Sequence, residues 1–216
     1  MQILIPAILG AIPLNISCQA NSDGSTTQYL FPEFSNSVTR MKSGKALTYQ
    51  MNYNIVTEKM VFVREGKYFD LTNPEMVDTI TIYGSTFVPV SRIFYELLHP
   101  GTMTLYLRHK GELLPAGKQV GYGGTSQVAS TSYLSSIKLS GGEYNLPLPP
   151  EYIIKPIPSF FIKKNGEMLE FQTEKQFLKL FPDKSDMIKS YIKENRIKFE
   201  KMEHLIRLVD YCNSLQ

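Results

Sequence analysis

Three histidines, two cysteines and a set of carboxylates are the residues of this 216-residue chain with the richest chemistry. His99 precedes a Pro-Gly turn, His109 ends a predicted strand, and His204 lies on a charged helix face. No two of them have the spacing of metal ligands, and no cysteine joins them. Cys18 and Cys212 are too few for a disulfide framework or a thiolate metal site. Glu58, Glu65, Asp70, Glu75 and Asp78 lie close in sequence. A glycosidase would need two of them facing across a cleft. Most fall in predicted turns, where they solvate loops. The run Gly121-Tyr122-Gly123-Gly124-Thr125-Ser126 offers backbone amides that could cradle an anion. A phosphate loop needs a strand before it, a helix after it and a lysine. Here Gln127 to Ser132 continue the loop, which reads as flexible surface. Serines are many, but no Gly-x-Ser-x-Gly elbow occurs. The tyrosines are the better candidates for ligand or partner contact. Tyr106 falls on the polar face of its strand, and Tyr122, Tyr133 and Tyr144 lie in or beside the loop. Such aromatics bind sugars or proteins, and they equally fill the second face of a sheet. Tyr49 and Tyr53 are expected to face inward.

The elements that hold these residues read mostly as strands. Leu47 to Asn54 alternates apolar and polar at every step, the signature of a strand with one buried and one wet face. Ser43-Gly44 marks a turn into it from Val38–Lys42. Lys59–Leu71 and Val77–Val90 read as two further hairpins, the second turning at Gly84-Ser85, with Pro89 at a strand end or edge. Ile93–Leu98 and Met103–His109 follow. In the latter, Met103, Leu105, Leu107 and His109 share one face, and Thr104, Tyr106 and Arg108 the other. Tyr29–Phe34 is a shorter candidate strand. Residues 117–142 are rich in Gly, Ser and Thr and read as a long loop, and the prolines that follow force extended chain. Phe160–Lys164, Asn165-Gly166 and Glu167–Phe171 make a strong hairpin signal. Thr173-Glu174-Lys175-Gln176 is a capping box. It opens a short helix carrying Phe177, Leu178 and Phe181, and a second helix capped by Asp183 or Ser185 comes next. The last helix carries Met202, Leu205, Ile206, Val209, Cys212 and Leu215 at helical spacing.

Composition sets bounds on function. Hydrophobic content is 43% and charged content 20%, ordinary for a globular protein with a core. The net charge of +3 is spread evenly, with 12 basic against 11 acidic residues before position 163 and 11 against 9 after it. This argues against a nucleic-acid partner. No cofactor motif is present. At the N-terminus, Ile3 to Ile16 is almost wholly apolar and too short for a secure membrane span. Followed by small polar residues, it reads as a signal peptide over residues 1–20, cleaved after Ala20. Lipoprotein processing at Cys18 is the alternative, and residues 21–28 become a flexible leader.

Phe177-Leu178-Lys179-Leu180-Phe181-Pro182-Asp183-Lys184, then Ile188 to Asn195 and Leu205 to Leu215, resembles the C-terminus of a broad group of uncharacterised exported proteins of Bacteroidetes. Asn52-Tyr53-Asn54 with Thr57-Glu58-Lys59-Met60, Phe69 with Leu71, Pro74-Glu75, Phe87-Val88-Pro89 and the Gly121–Ser126 run extend the resemblance over most of residues 38–215. It implies export to the periplasm or outer surface of a Gram-negative bacterium, and it implies no catalytic residues.

The expectation is an α+β, mostly β protein: an antiparallel meander over residues 28–172 forming a barrel-like or sandwich sheet, with a small helical appendage over 173–216. The expected function is a non-enzymatic module contacting a cell-envelope protein. A binder of a small molecule or glycan is the alternative, and a hydrolase with a carboxylate pair the third reading. No integral membrane segment is expected after signal removal, and the oligomeric state stays open.

Overall fold

The computed structural model describes residues 27–115, 118–120, 124–126 and 152–215. Four strands come first, β1 (Ser35–Met41), β2 (Ala46–Asn54), β3 (Lys59–Arg64) and β4 (Lys67–Asp70). Then follow β5 (Val77–Ile82), β6 (Ser85–Val90), β7 (Ile93–His99), β8 (Thr104–Arg108) and β9 (Gly111–Pro115). The strands end with β10 (Lys118–Val120), β11 (Gly124–Ser126), β12 (Tyr152–Pro156), β13 (Ser159–Lys164) and β14 (Glu167–Phe171). Three helices close the chain, α1 (Glu174–Lys179), α2 (Ser185–Glu194) and α3 (Met202–Ser214). The fold is α+β and mostly β, with a small helical C-terminal region.

Ten strands form one antiparallel sheet in the order β14-β13-β8-β7-β6-β5-β1-β2-β3-β4. Three tight corners have two-residue turns with both residues left-handed: Glu65-Gly66 (φ 54°, 73°), Tyr83-Gly84 (49°, 85°) and Asn165-Gly166 (52°, 85°). This backbone matches the twist of the flanking strands, and glycine takes the second position without steric cost. The sheet curls enough to bring β3 close to β7. Its outer strands β14 and β4 do not bond to each other, so the sheet is sandwich-like and the barrel expectation is set aside.

One face of this sheet is mostly apolar and has two different covers. Over β8, β13 and β14, Met103, Leu105, Leu107, Phe160, Ile162 and Phe171 meet Phe177, Ile188, Ile192, Leu205, Leu208 and Val209 of the helices. Over the other half, Met51, Tyr53, Met60, Ile80, Ile82 and Phe87 are covered by Phe31, Ile55 and the β9–β12 pair, through Leu113 and Ile154. Gly111 allows that pair to come close: its amide donates to the Ile55 carbonyl at 2.7 Å. A Cβ there would stand 2.8 Å from Ile154. The helices are tied to the sheet by Asn213, whose Oδ1 accepts from the Met103 amide at 2.8 Å and whose Nδ2 donates to the Met103 carbonyl at 3.1 Å.

Several expectations are corrected. On β2, Met51 and Tyr53 are buried, but so are Asn52 and Asn54 on the face expected to be wet. Asn52 is buried because its side chain bonds the backbone of Phe31 and Glu33. Tyr49 is 37% exposed at the open end of the strand. Tyr29–Phe34 makes a single bridge, Tyr29 with Asn54, rather than a strand. Within the Gly/Ser/Thr-rich stretch, β10 and β11 pair, where a loop was expected. The Thr173–Gln176 capping box forms. Neither Asp183 nor Ser185 caps α2, because a 3₁₀ turn over Pro182–Lys184 places Lys184 at its N-cap.

Phe177 is fully buried beneath the sheet, so Phe177→Ala should cost about 3–5 kcal/mol. Asn213→Ala should cost about 1–3 kcal/mol by orphaning two backbone groups. Urea unfolding measures both, and unchanged midpoints would show that the tail is not docked.

Candidate functional site

A polar cluster interrupts the apolar face where its two covers meet. Glu96, in the middle of β7, lies opposite Phe87 on β6 and Leu107 on β8. Phe87 belongs to one core and Leu107 to the other. β8 ends at Arg108, and the next residue, His109, extends over the rings of Tyr53 and Phe87. Its Nε2 stands 2.6 Å from Glu96 Oε2, and both side chains are only 4% exposed. Ser85, at the start of β6, donates its hydroxyl to Glu96 Oε1 at 2.6 Å.

Burial works to raise the pKa of Glu96, but the hydrogen bond and charge of His109, with the Ser85 hydroxyl, outweigh it and hold the carboxyl below its ordinary value. An ionised carboxylate only accepts, so Nε2 of His109 carries the proton in this bond. The order Ser–Glu–His decides what the cluster can do. In a nucleophilic triad the imidazole takes the serine proton. Here the carboxylate stands between them, and its depressed pKa makes it a poor base. The geometry fixes strands rather than preparing Ser85 for attack.

Beside it, Arg108 grips Glu58 through two parallel bonds, Nε to Oε1 at 2.5 Å and Nη2 to Oε2 at 2.8 Å. The hydrogen bond and charge of Glu58 raise the arginine pKa against the effect of burial. Glu58 holds a left-handed backbone, φ 58°, in the β2–β3 turn. The hydroxyls of Tyr53 and Thr57 are buried with no hydrogen-bond partner among the described residues. Burial also pushes the Tyr53 phenol upward.

The carboxylates expected to solvate turns are therefore partly engaged. Glu58 is held by Arg108, and Asp70 meets Lys59 at 2.6 Å. Sequence reasoning missed the Glu96–His109 pair. Its signal was a lone carboxylate inside the apolar strand Ile93–Leu98. Among the described residues no group of three His, Cys, Asp or Glu could hold a metal, and no helix is long and apolar enough to cross a membrane. Cys212 is buried on the apolar face of α3, and burial pushes its thiol up to about 12.

Of the four tyrosines proposed for contact, Tyr122, Tyr133 and Tyr144 lie outside the described residues. Tyr106 is on the outer face of the sheet but only 7% exposed. Its strand neighbours explain this: Tyr95 and Phe161 pack edge-on against each other, and Val88, Val90, Ile93, Leu97 and Met168 surround the trio. Comparison with protein-family models, curated proteins and solved structures gives no match.

The Glu96 carboxyl titrates lower in the folded chain than in the unfolded one. Its contribution is therefore complete above the unfolded pKa of about 4.3 and is lost as pH falls through the folded value. Urea unfolding should show native stability falling below about pH 4, with Glu96→Gln flattening that fall. Glu96→Ala should cost about 3–5 kcal/mol at neutral pH by leaving His109 buried and unpaired. An acid limb identical in Glu96→Gln and native chains would remove Glu96 from the account.

Proposed function

We propose that this chain is a non-enzymatic, extracytoplasmic module that docks a protein of the cell envelope through the outer face of β6, β7, β8 and β13. The observation that carries this reading is the apolar row crossing that face. Leu97 lies opposite Tyr106, and Tyr106 opposite Phe161, so three consecutive strands present one continuous apolar line. Val88, Val90 and Ile93 extend it as half-buried aliphatics. Thr104, Arg108 and Lys163 sit at its margin, so half-buried aliphatics over a packed aromatic base are bounded by polar groups, as in a protein-binding patch with an apolar centre and a polar rim. The free sheet edges suit docking less well: β4 is only four residues long and carries Lys67 and Asp70, and short charged edges resist strand addition. A ligand inside the curl of the sheet is disfavoured, because Phe31, Phe87, Leu113 and Ile154 fill that space. Export is supported by the apolar run at Ile3–Ile16 and by the resemblance to exported proteins.

A photo-crosslinking residue at Leu97 in the tagged full chain, expressed in its own cells, should capture one reproducible envelope protein. The same residue at Met187, on the exposed face of α2, should not. Val88→Asp should abolish the Leu97 product while the chain stays folded, as its circular dichroism checks. Equal products from both positions, or none from Leu97, would reject the docking face. A chain retained in the cytoplasmic fraction would reject export.

A further inference from the structure

The helical tail carries a second feature, remote from the outer face. α2 and α3 bury Ile188 and Ile192 against Leu205, Leu208 and Cys212. At the margin of that contact, Tyr191 and Tyr211 stack almost parallel, with centroids 3.9 Å apart and planes 5° from each other. The pair forms one wall of an open cleft of about 450 Å³, whose other lining residues are Arg207, Asp210, Asn213 and Ser214. That volume lies within the ordinary range of small-ligand sites.

Two of the six lining residues are already committed. Asn213 uses its amide on the Met103 backbone, and Ser214 donates to the Tyr211 carbonyl at 2.6 Å. They hold the cleft in place. The charged lining groups are Arg207 and Asp210. Arg207 makes no ion pair among the described residues, although Asp210 is only one helical turn away. Asp210 instead turns one oxygen toward His99 Nε2 at 3.5 Å, and its side chain remains 73% exposed. A guanidinium, a carboxylate and a pair of locked aromatic rings therefore line one open cleft.

We infer that this cleft is a binding subsite for an acidic sugar ring. Each element has a matching group on such a ligand. The ring surface that the stacked pair leaves uncovered offers an apolar platform for the C–H face of a pyranose. Stacking has already immobilised both phenols, so little side-chain entropy remains to be lost on binding. Arg207 suits a carboxylate held by two parallel hydrogen bonds. Asp210 accepts from ring hydroxyls. A neutral sugar would leave the Arg207 charge unmatched, and a flat apolar ligand would leave both charges unmatched.

The test is an NMR titration of the full chain with α-1,4-linked digalacturonate and, separately, with neutral α-1,4-galactobiose. Digalacturonate should shift the amides of residues 207–214 and of Tyr191 with a Kd near about 1 mM, and galactobiose should bind at least about tenfold more weakly. Arg207→Ala and Asp210→Asn, both at exposed positions, should each weaken the acid at least about tenfold with an unchanged melting midpoint. Tyr211→Leu should do the same while keeping the helix contact apolar. Equal binding of the two sugars overturns the acidic specificity. The absence of localised shifts up to about 20 mM digalacturonate, or full affinity in Arg207→Ala, overturns the site. Val88→Asp should leave this titration untouched, so failure here and failure of the outer docking face are read separately.

Discussion

The hydrogen bond between Glu96 and His109 is the constraint on which the rest of this structure depends. A ten-stranded sheet with one apolar face must cover that face, and this chain does so with two unrelated parts. The helices cover one half, and the β9–β12 pair with Phe31 covers the other. Glu96 lies where the two covers meet, and His109 approaches it from the segment that links β8 to β9. The pair therefore ties β7, where the two covers meet, to the segment that leads from β8 into the β9–β12 cover. A buried polar pair of this kind adds little net stability over an apolar pair of similar size. Its effect here is on register. A slip of β7 by one residue would put Glu96 outside and Tyr95 inside, leaving a buried imidazole unpaired.

On the filled inner face, the Ser85–Glu96–His109 bonds hold strands together. Ser85, Glu96 and His109 occupy an order in which the carboxylate, not the imidazole, takes the serine's hydrogen bond. The two surfaces proposed for binding lie elsewhere. One is the apolar outer row through Leu97, Tyr106 and Phe161, and the other is the tyrosine cleft on the helices. Both depend on the scaffold for position: the row needs β7, β8 and β13 in register, and the cleft needs Asn213 locked to Met103.

Much of the fold was legible in local sequence. Asn165-Gly166 announces its turn because a left-handed backbone at both positions has few solutions. Thr173 and Gln176 announce a helix start because each satisfies the other's orphan amide. Long-range pairing left no such mark. Nothing near Thr39 indicates that β1 pairs with β5 at Ile80, or that β13 returns to β8 across the Gly/Ser/Thr-rich stretch. The alternation over Leu47–Asn54 gave the correct inward face at Met51 and Tyr53 but not the covering of Asn52, which depends on the path of residues 31–33. Tyr106 was correctly placed opposite Leu105 and Leu107. Its burial comes from neighbours on two other strands, which periodicity within one strand does not reveal.

Native-state hydrogen exchange tests the central claim most directly. If Glu96 and His109 unite the two covered halves, the amides of Phe87 and Leu107 should open with a single shared free energy in the native chain. Glu96→Gln should split them into two cooperative units. Two separate opening free energies in the native chain would contradict the account, because the halves would then be held together by something other than this pair.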